Sequence, residues 1–267
     1  MYIELPILTP SDAYTANGVS IKKYFLTEHN ANKISLPSLM QGAPVGVTIH
    51  NTDDINEAKG TTDPEQYTRA TLNVDKNGNS RLGTVRVHFY VDDDEAWQCL
   101  PLNYQSWHCG QKGKAETSKA AIGNDRTISI ECIMDGKGGD KDKHAEDNCA
   151  RLAAYILDKY GLTIDNLYTH NYWCNVRNGK TGTVDELNTL YDGYKGCPRF
   201  IRPHWADFRS KVLGYMSKTP KPTQSTSQYY VVKQYGAYGD KQNAERVLDL
   251  LKSTDPKGYY KIMKVVK

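Results

Sequence analysis

The 267-residue chain has no run of roughly eighteen apolar residues, so a membrane-spanning helix is not expected. Its first residues, Met1-Tyr2-Ile3-Glu4-Leu5-Pro6, lack a basic region followed by an apolar stretch, and a secretory leader is not expected either. Cysteine is sparse: Cys99, Cys109, Cys132, Cys149, Cys174 and Cys197 do not make a disulfide scaffold at this length. Reduced thiols in a cytoplasm are then the default, with pairing of Cys99 with Cys109 left open for a protein that later acts outside the cell. No internal repeat is found. A large net charge is missing too, at +3 overall.

What is present excludes a disordered chain. With 39% hydrophobic and 24% charged residues, at least one full-sized core can form. The charge is unevenly spread: beyond residue 216 there are ten Lys or Arg against four acids, net +6, which leaves residues 1–216 at −3. A basic tail on a mildly acidic body suits an anionic surface, for which nucleic acid, membrane and bacterial wall polymers all qualify. Between the two, Thr219-Pro220-Lys221-Pro222-Thr223-Gln224-Ser225-Thr226-Ser227 has no apolar residue and reads as an extended linker. The expected organisation is a body over residues 1–216, a linker over 217–228 and a small module over 229–267.

Apolar alternation marks three strands in the body, at Val45/Val47/Ile49, Val85/Val87/Phe89/Val91 and Ile128/Ile130/Cys132. His88 and Tyr90 on the second, and Ser129 and Glu131 on the third, fall on the opposite face, which this pattern makes the polar one. Cys149, Leu152, Ala153, Ile156 and Tyr160 recur at helical spacing, with Gly161 closing the helix, and a second helix is expected near 205–215. Residues 51–79 and 171–194 read as long loops with room for short helices, and loops of that length usually serve a site. In the tail, residues 229–233, 240–251 and 259–265 read as strand, helix and strand. Asp240 caps the helix, and Ala244, Val247, Leu248 and Leu251 form its apolar stripe. A β-α-β unit of about 40 residues is marginal alone, so it is expected to pack on the body or on a second copy. Six of the 19 tyrosines lie in this tail, where aromatic rings can stack on sugar faces.

The chemistry concentrates in a few short segments. His50 ends the first strand, in Thr48-Ile49-His50-Asn51-Thr52, and is matched by Thr169-His170-Asn171 and by Lys195-Gly196-Cys197-Pro198. Two imidazoles and one thiolate can hold zinc tetrahedrally and leave the fourth position for water, the mark of a catalytic site. A structural zinc would need a fourth protein donor, for which Cys174 is the obvious candidate. Water on an open zinc ionises near neutral pH and can attack a carbonyl, so a metal-assisted hydrolase is indicated.

Together with Ser106-Trp107-His108-Cys109-Gly110 and Ile128-Ser129-Ile130-Glu131-Cys132, these segments stand in the order found in type 2 N-acetylmuramoyl-L-alanine amidases, a family that includes phage endolysins. The chain resembles that family over roughly residues 40–205. The resemblance implies an α/β fold, a mixed central sheet flanked by helices with one zinc site, here joined to the small C-terminal β-α-β module. It implies peptidoglycan as partner, and cleavage of the amide between N-acetylmuramic acid and L-alanine. Position by position it implies His50, His170 and Cys197 as zinc ligands. Glu131 would be the general acid-base, and Lys195 the cation that stabilises the carbonyl oxygen as it becomes tetrahedral. His108 is implied as a substrate contact, with His88 and Tyr90 as further candidates for lining the groove. Where some relatives carry a catalytic tyrosine on the second strand this chain has Val87, which shifts acid-base work onto Glu131. The tail weakly resembles one half of a sporulation-related glycan-binding repeat through Tyr235-Gly236-Ala237-Tyr238-Gly239-Asp240-Lys241-Gln242-Asn243-Ala244-Glu245-Arg246, and dimerisation would supply the other half.

The expectation is a phage or prophage endolysin, made in the host cytoplasm and released to the wall by a holin, with no nucleic acid partner and no membrane insertion. A bacterial autolytic or recycling amidase and a non-catalytic peptidoglycan-recognition module are the alternatives.

Overall fold

The apolar alternation at 45, 47 and 49 becomes a fully buried interior strand in the computed structural model, whose described residues are 2–52, 63–191, 193, 194 and 196–216. The expected linker and β-α-β module, and Lys195, lie outside the described residues.

In chain order the elements are β1 (Asp12–Ala16), β2 (Val19–Lys23), β3 (Gly46–Asn51), α1 (Pro64–Leu72), β4 (Phe89–Val91), β5 (Ala96–Gln98), α2 (Ser118–Arg126), β6 (Thr127–Cys132), α3 (Asp140–Lys159), β7 (Leu167–Thr169), α4 (His170–Arg177), α5 (Val184–Thr189) and α6 (Trp205–Met216). The seven strands form one mixed sheet in the order β1-β2-β5-β4-β6-β3-β7. Its right half, β4, β6, β3 and β7, is parallel, and its left half carries the two antiparallel pairs β1/β2 and β4/β5.

Local chemistry explains these elements. Asp63 accepts from the Gln66 amide at 2.9 Å and Pro64 follows at the first helical position, so α1 begins within a segment that reads as loop by composition. The α3 helix presents Cys149, Leu152, Ala153 and Ile156 to the sheet and ends before Gly161, whose φ of +65° is the left-handed conformation a helix terminus requires. Gly46 opens β3 because a Cβ there would meet a Tyr168 ring carbon at 2.4 Å and the Asn166 carbonyl oxygen at 2.6 Å.

One sheet face is apolar. Val47, Ile49, Phe89, Val91, Ile128 and Ile130 pack there under α3 and α6, with Leu152, Ile156, Trp205 and Phe208 fully enclosed or nearly so. Truncating Leu152 to Ala would cost about 2–5 kcal/mol. The opposite face is polar, as the alternation predicts, yet it is buried. Tyr67 of α1 stacks on Tyr90, the Gly123 carbonyl of α2 accepts from Thr127 Oγ1, and Trp173 of α4 donates from its indole to Thr48 Oγ1. Polar side chains so enclosed must be bonded internally, and Thr48 and Thr127 pair at 2.8 Å.

Candidate metal centre

The parallel register brings the functional residues together before any side chain is considered. His50 is the partner of Glu131, and Glu131 is also the partner of Tyr90. On the other side Ile49 pairs with Thr169, so His170 follows directly at the same level as the first residue of α4. These positions lie at the carboxyl ends of parallel strands, where open α/β sheets bind ligands.

His50 and His170 are 1% and 4% exposed, with ring centroids 5.0 Å apart. Cys197 arrives from the segment after α5 and puts Sγ 3.5 Å from His50 Nδ1. Donor atoms of His50, His170 and Cys197 all fall within 4.8 Å of one another. A tetrahedral zinc separates a nitrogen and a sulfur ligand by about 3.6 Å, so the His50–Cys197 spacing fits the ion without rearrangement. Cys174 is not among these donors, so three candidate ligands meet here among the described residues.

The Asn51 side chain and the backbone at residue 171 hold the Cys197 segment. The Asn51 side-chain oxygen accepts from the amides of Phe200 at 2.9 Å and Ile201 at 3.4 Å, while its amide group donates to the Cys132 carbonyl at 3.2 Å. The backbone N–H of residue 171 donates to the Cys197 carbonyl at 2.9 Å, while the Asn171 side-chain amide donates to the Leu190 carbonyl. Both asparagines directly follow a candidate ligand in the sequence, but only Asn51 acts on the Cys197 segment through its side chain.

Glu131 Oε1 lies 3.8 Å from His50 Nδ1, and its side chain is 13% exposed, the partial opening that a group handling a proton on water needs. Lys195 lies outside the described residues.

His108 is buried within the cluster. His50 Nε2 and His108 Nδ1 are 2.7 Å apart, and His108 Nε2 donates to the Gly123 carbonyl at 3.0 Å. Burial holds the His108 imidazole well below its ordinary pKa, with His170 and His88 adding to the effect. Cys109 Sγ lies 2.9 Å from His108 Nδ1, and burial pushes this thiol well up. His50, His108 and Cys109 form a second close group of donors. Their contacts of 2.7 and 2.9 Å are hydrogen-bond separations, shorter than the roughly 3.3 Å between two nitrogens on one zinc. This group is therefore a bonded network beside the first.

His88 and Tyr90, expected to line a groove, are fully enclosed at 0% and 3% exposure. The Ser129 amide donates to His88 Nδ1 at 3.1 Å, and His88 Nε2 donates to the Tyr104 carbonyl at 2.9 Å. Burial lowers the His88 pKa to about 4. Tyr90 stacks on Tyr67, and burial, reinforced by Cys99 and Glu131, keeps its phenol protonated. Neither side chain reaches a surface that a wall polymer could touch. The reason is the enclosure of the polar sheet face by α1, α2 and α4. Cys99 lies against Thr68 Oγ1 and Cys109 against His108, so the Cys99–Cys109 pair left open above is not formed.

Comparison with known proteins identifies the family. Residues 40–186 match the family model for N-acetylmuramoyl-L-alanine amidase, a match that stops before Cys197. The N-acetylmuramoyl-L-alanine amidase XlyA of Bacillus subtilis (strain 168) is 30% identical over 191 residues, 72% of this chain and 48% of XlyA. CwlH, an amidase of the same name from that strain, is 28% identical over 79% of this chain and 67% of its own length. The chain thus spans about half of XlyA and two thirds of CwlH. Among solved structures, the catalytic domain of XlyA is 26% identical with a TM-score of 0.51, over 73% of this chain and 99% of that domain. A mutant endolysin from Bacillus subtilis has the same TM-score at 25% identity, over 73% of this chain and 99% of the other. The chain belongs to the N-acetylmuramoyl-L-alanine amidase family.

Proposed function

We propose that this chain is a zinc-dependent peptidoglycan hydrolase that cleaves the amide between N-acetylmuramic acid and L-alanine of the stem peptide, and that it acts as a phage endolysin in host lysis. The observation that carries this reading is the buried trio His50, His170 and Cys197 at ligand spacing with the Glu131 carboxylate beside it.

Bound in that trio, zinc supplies Lewis-acid polarisation of a carbonyl and makes water nucleophilic near neutral pH. The chain's own groups do the rest. Glu131 takes the proton from the attacking water and returns it to the leaving amide nitrogen. Lys195, two residues before Cys197, supplies positive charge to the carbonyl oxygen. His50, His170 and Cys197 are all buried, and low exposure to water strengthens each of these interactions.

The proposed organisation is a catalytic body over 1–216, a linker over 217–228 and a wall-binding or dimerising module over 229–267, whose net charge of +6 suits an anionic wall. Peptidoglycan is the proposed partner. Residence in the host cytoplasm until a holin opens the membrane is the proposed route to the wall, and among the described residues no helix is long and apolar enough to cross a membrane.

Product chemistry tests the reading. Digestion of purified walls should expose new L-alanine amino groups without new reducing sugar ends. Release of reducing ends by the pure protein would show a glycosidase and overturn it. Faster action on intact walls than on soluble muropeptides is expected of an endolysin, and the reverse order would favour a recycling amidase.

A further inference from the structure

Both candidate imidazole ligands are held from behind by one short segment, His108-Cys109-Gly110. His170 Nε2 donates to the Gly110 carbonyl at 3.0 Å, which places the lone pair of a neutral His170 on Nδ1. His50 is held by the His108 ring. The Gly123 carbonyl can only accept, so the single proton of a neutral His108 sits on Nε2. His108 Nδ1 then carries the lone pair, and His50 Nε2, 2.7 Å away, is the donor. The lone pair of His50 is left on Nδ1, the nitrogen that lies 3.5 Å from Cys197 Sγ.

The brace is itself rigidly mounted. Asn124 Oδ1 accepts from the amides of His108 and Cys109, both at 2.9 Å, and Gly123 and Asn124 both belong to α2. One helix therefore fixes the backbone of the segment and the proton of its histidine. Cys109 adds a thiol contact to the same nitrogen at 2.9 Å, a weak donor beside the stronger N–H of His50.

We propose that His108 is a positioning residue for the metal, acting through His50 and touching no substrate: a carbonyl–imidazole–imidazole relay holds His50 in the tautomer and orientation that present Nδ1 to zinc. This rests on the zinc reading above. Partners that orient metal-bound histidines typically contribute 10–100-fold in metal affinity. A carbonyl usually plays that part, as Gly110 does for His170; here a second histidine extends the reach from Gly123 to His50.

The test compares zinc affinity of the full chain, by competition with a chromogenic chelator, in wild type, His108→Leu and His108→Asn. Leucine fills space without accepting a hydrogen bond, and asparagine puts an amide oxygen near the place of Nδ1. Zinc binding should weaken about 10–100-fold in His108→Leu and stay within about threefold of wild type in His108→Asn. A purely structural role would lower thermal stability in both variants without separating their zinc affinities. Should His108→Leu fail to fold, long-range proton–nitrogen NMR of the zinc-loaded wild type reads the tautomers directly. The proton is expected on Nε2 of both His50 and His108, with His50 Nδ1 bound to metal. Zinc on His50 Nε2, or unchanged affinity in His108→Leu, would overturn the relay while leaving the zinc reading standing. Absence of zinc from the wild-type chain would overturn both.

Discussion

His50 and Glu131 are register partners on adjacent parallel strands, and their side chains meet with Nδ1 3.8 Å from Oε1. In a parallel ladder, paired residues project from the same face, so the backbone alone delivers a candidate metal donor and a carboxylate side by side. A slip of one residue in either strand would send one of them into the apolar face under α3. The pairing of β3 with β6 is thus a condition of the proposed chemistry.

Glu131→Gln keeps the size of the side chain and loses the proton acceptor. Its turnover on purified walls is expected to fall by about 10²–10⁴-fold while zinc content stays at one per chain. Turnover near wild type would remove Glu131 from the reaction.

Cys197→Ser and His170→Ala each take one donor from a set of three. Both variants should purify with little zinc and without measurable amide cleavage, because a two-ligand site does not retain the ion. Metal analysis of the variants alongside an amino-group release assay checks this, and a variant that is zinc-free yet fully active would contradict it.

Gly123 illustrates a constraint of packing. A Cβ there would stand 2.8 Å from a Trp173 ring carbon and 3.0 Å from Cys109 Sγ. Gly123→Ala is expected to destabilise the protein by about 1–3 kcal/mol, read as a lower denaturation midpoint. An unchanged midpoint would mean that Trp173 shifts freely, despite its bond to Thr48.

His88 sets a pH dependence of stability. Its pKa is about 4 in the folded protein, against 6.5 for an ordinary histidine. Below pH 6.5 the unfolded chain takes up a proton that the folded chain refuses until about pH 4, so stability is lost as pH falls through this window. Denaturant titrations of metal-free protein at pH 7 and 4.5 should show a smaller loss in His88→Gln than in wild type. Equal losses would show that His88 does not carry this part of the acid sensitivity.

How much of this was legible in the sequence depended on the length and apolar content of each element. The alternations at 45–49 and 128–132 and the helical spacing from Cys149 to Tyr160 mark β3, β6 and α3 because each buries several large side chains on one face. Strands β5 and β7 are three residues long and β1 is largely exposed, so none shows a period. The short helices α1, α4 and α5 sit in segments that read as loops, and their Thr or Asp caps are the signals that mark them. The candidate ligand trio was legible because three motifs stand in order. The enclosure of His88, Tyr90 and His108 was not, since it depends on which helices cover the polar face of the sheet, and alternation says only that the face is polar.

Zinc titration of the metal-free full chain, with amide cleavage followed at each addition, tests the central claim most directly. Activity should be absent without metal and rise linearly to a plateau at one zinc per chain. Full cleavage by demonstrably metal-free protein would contradict the account.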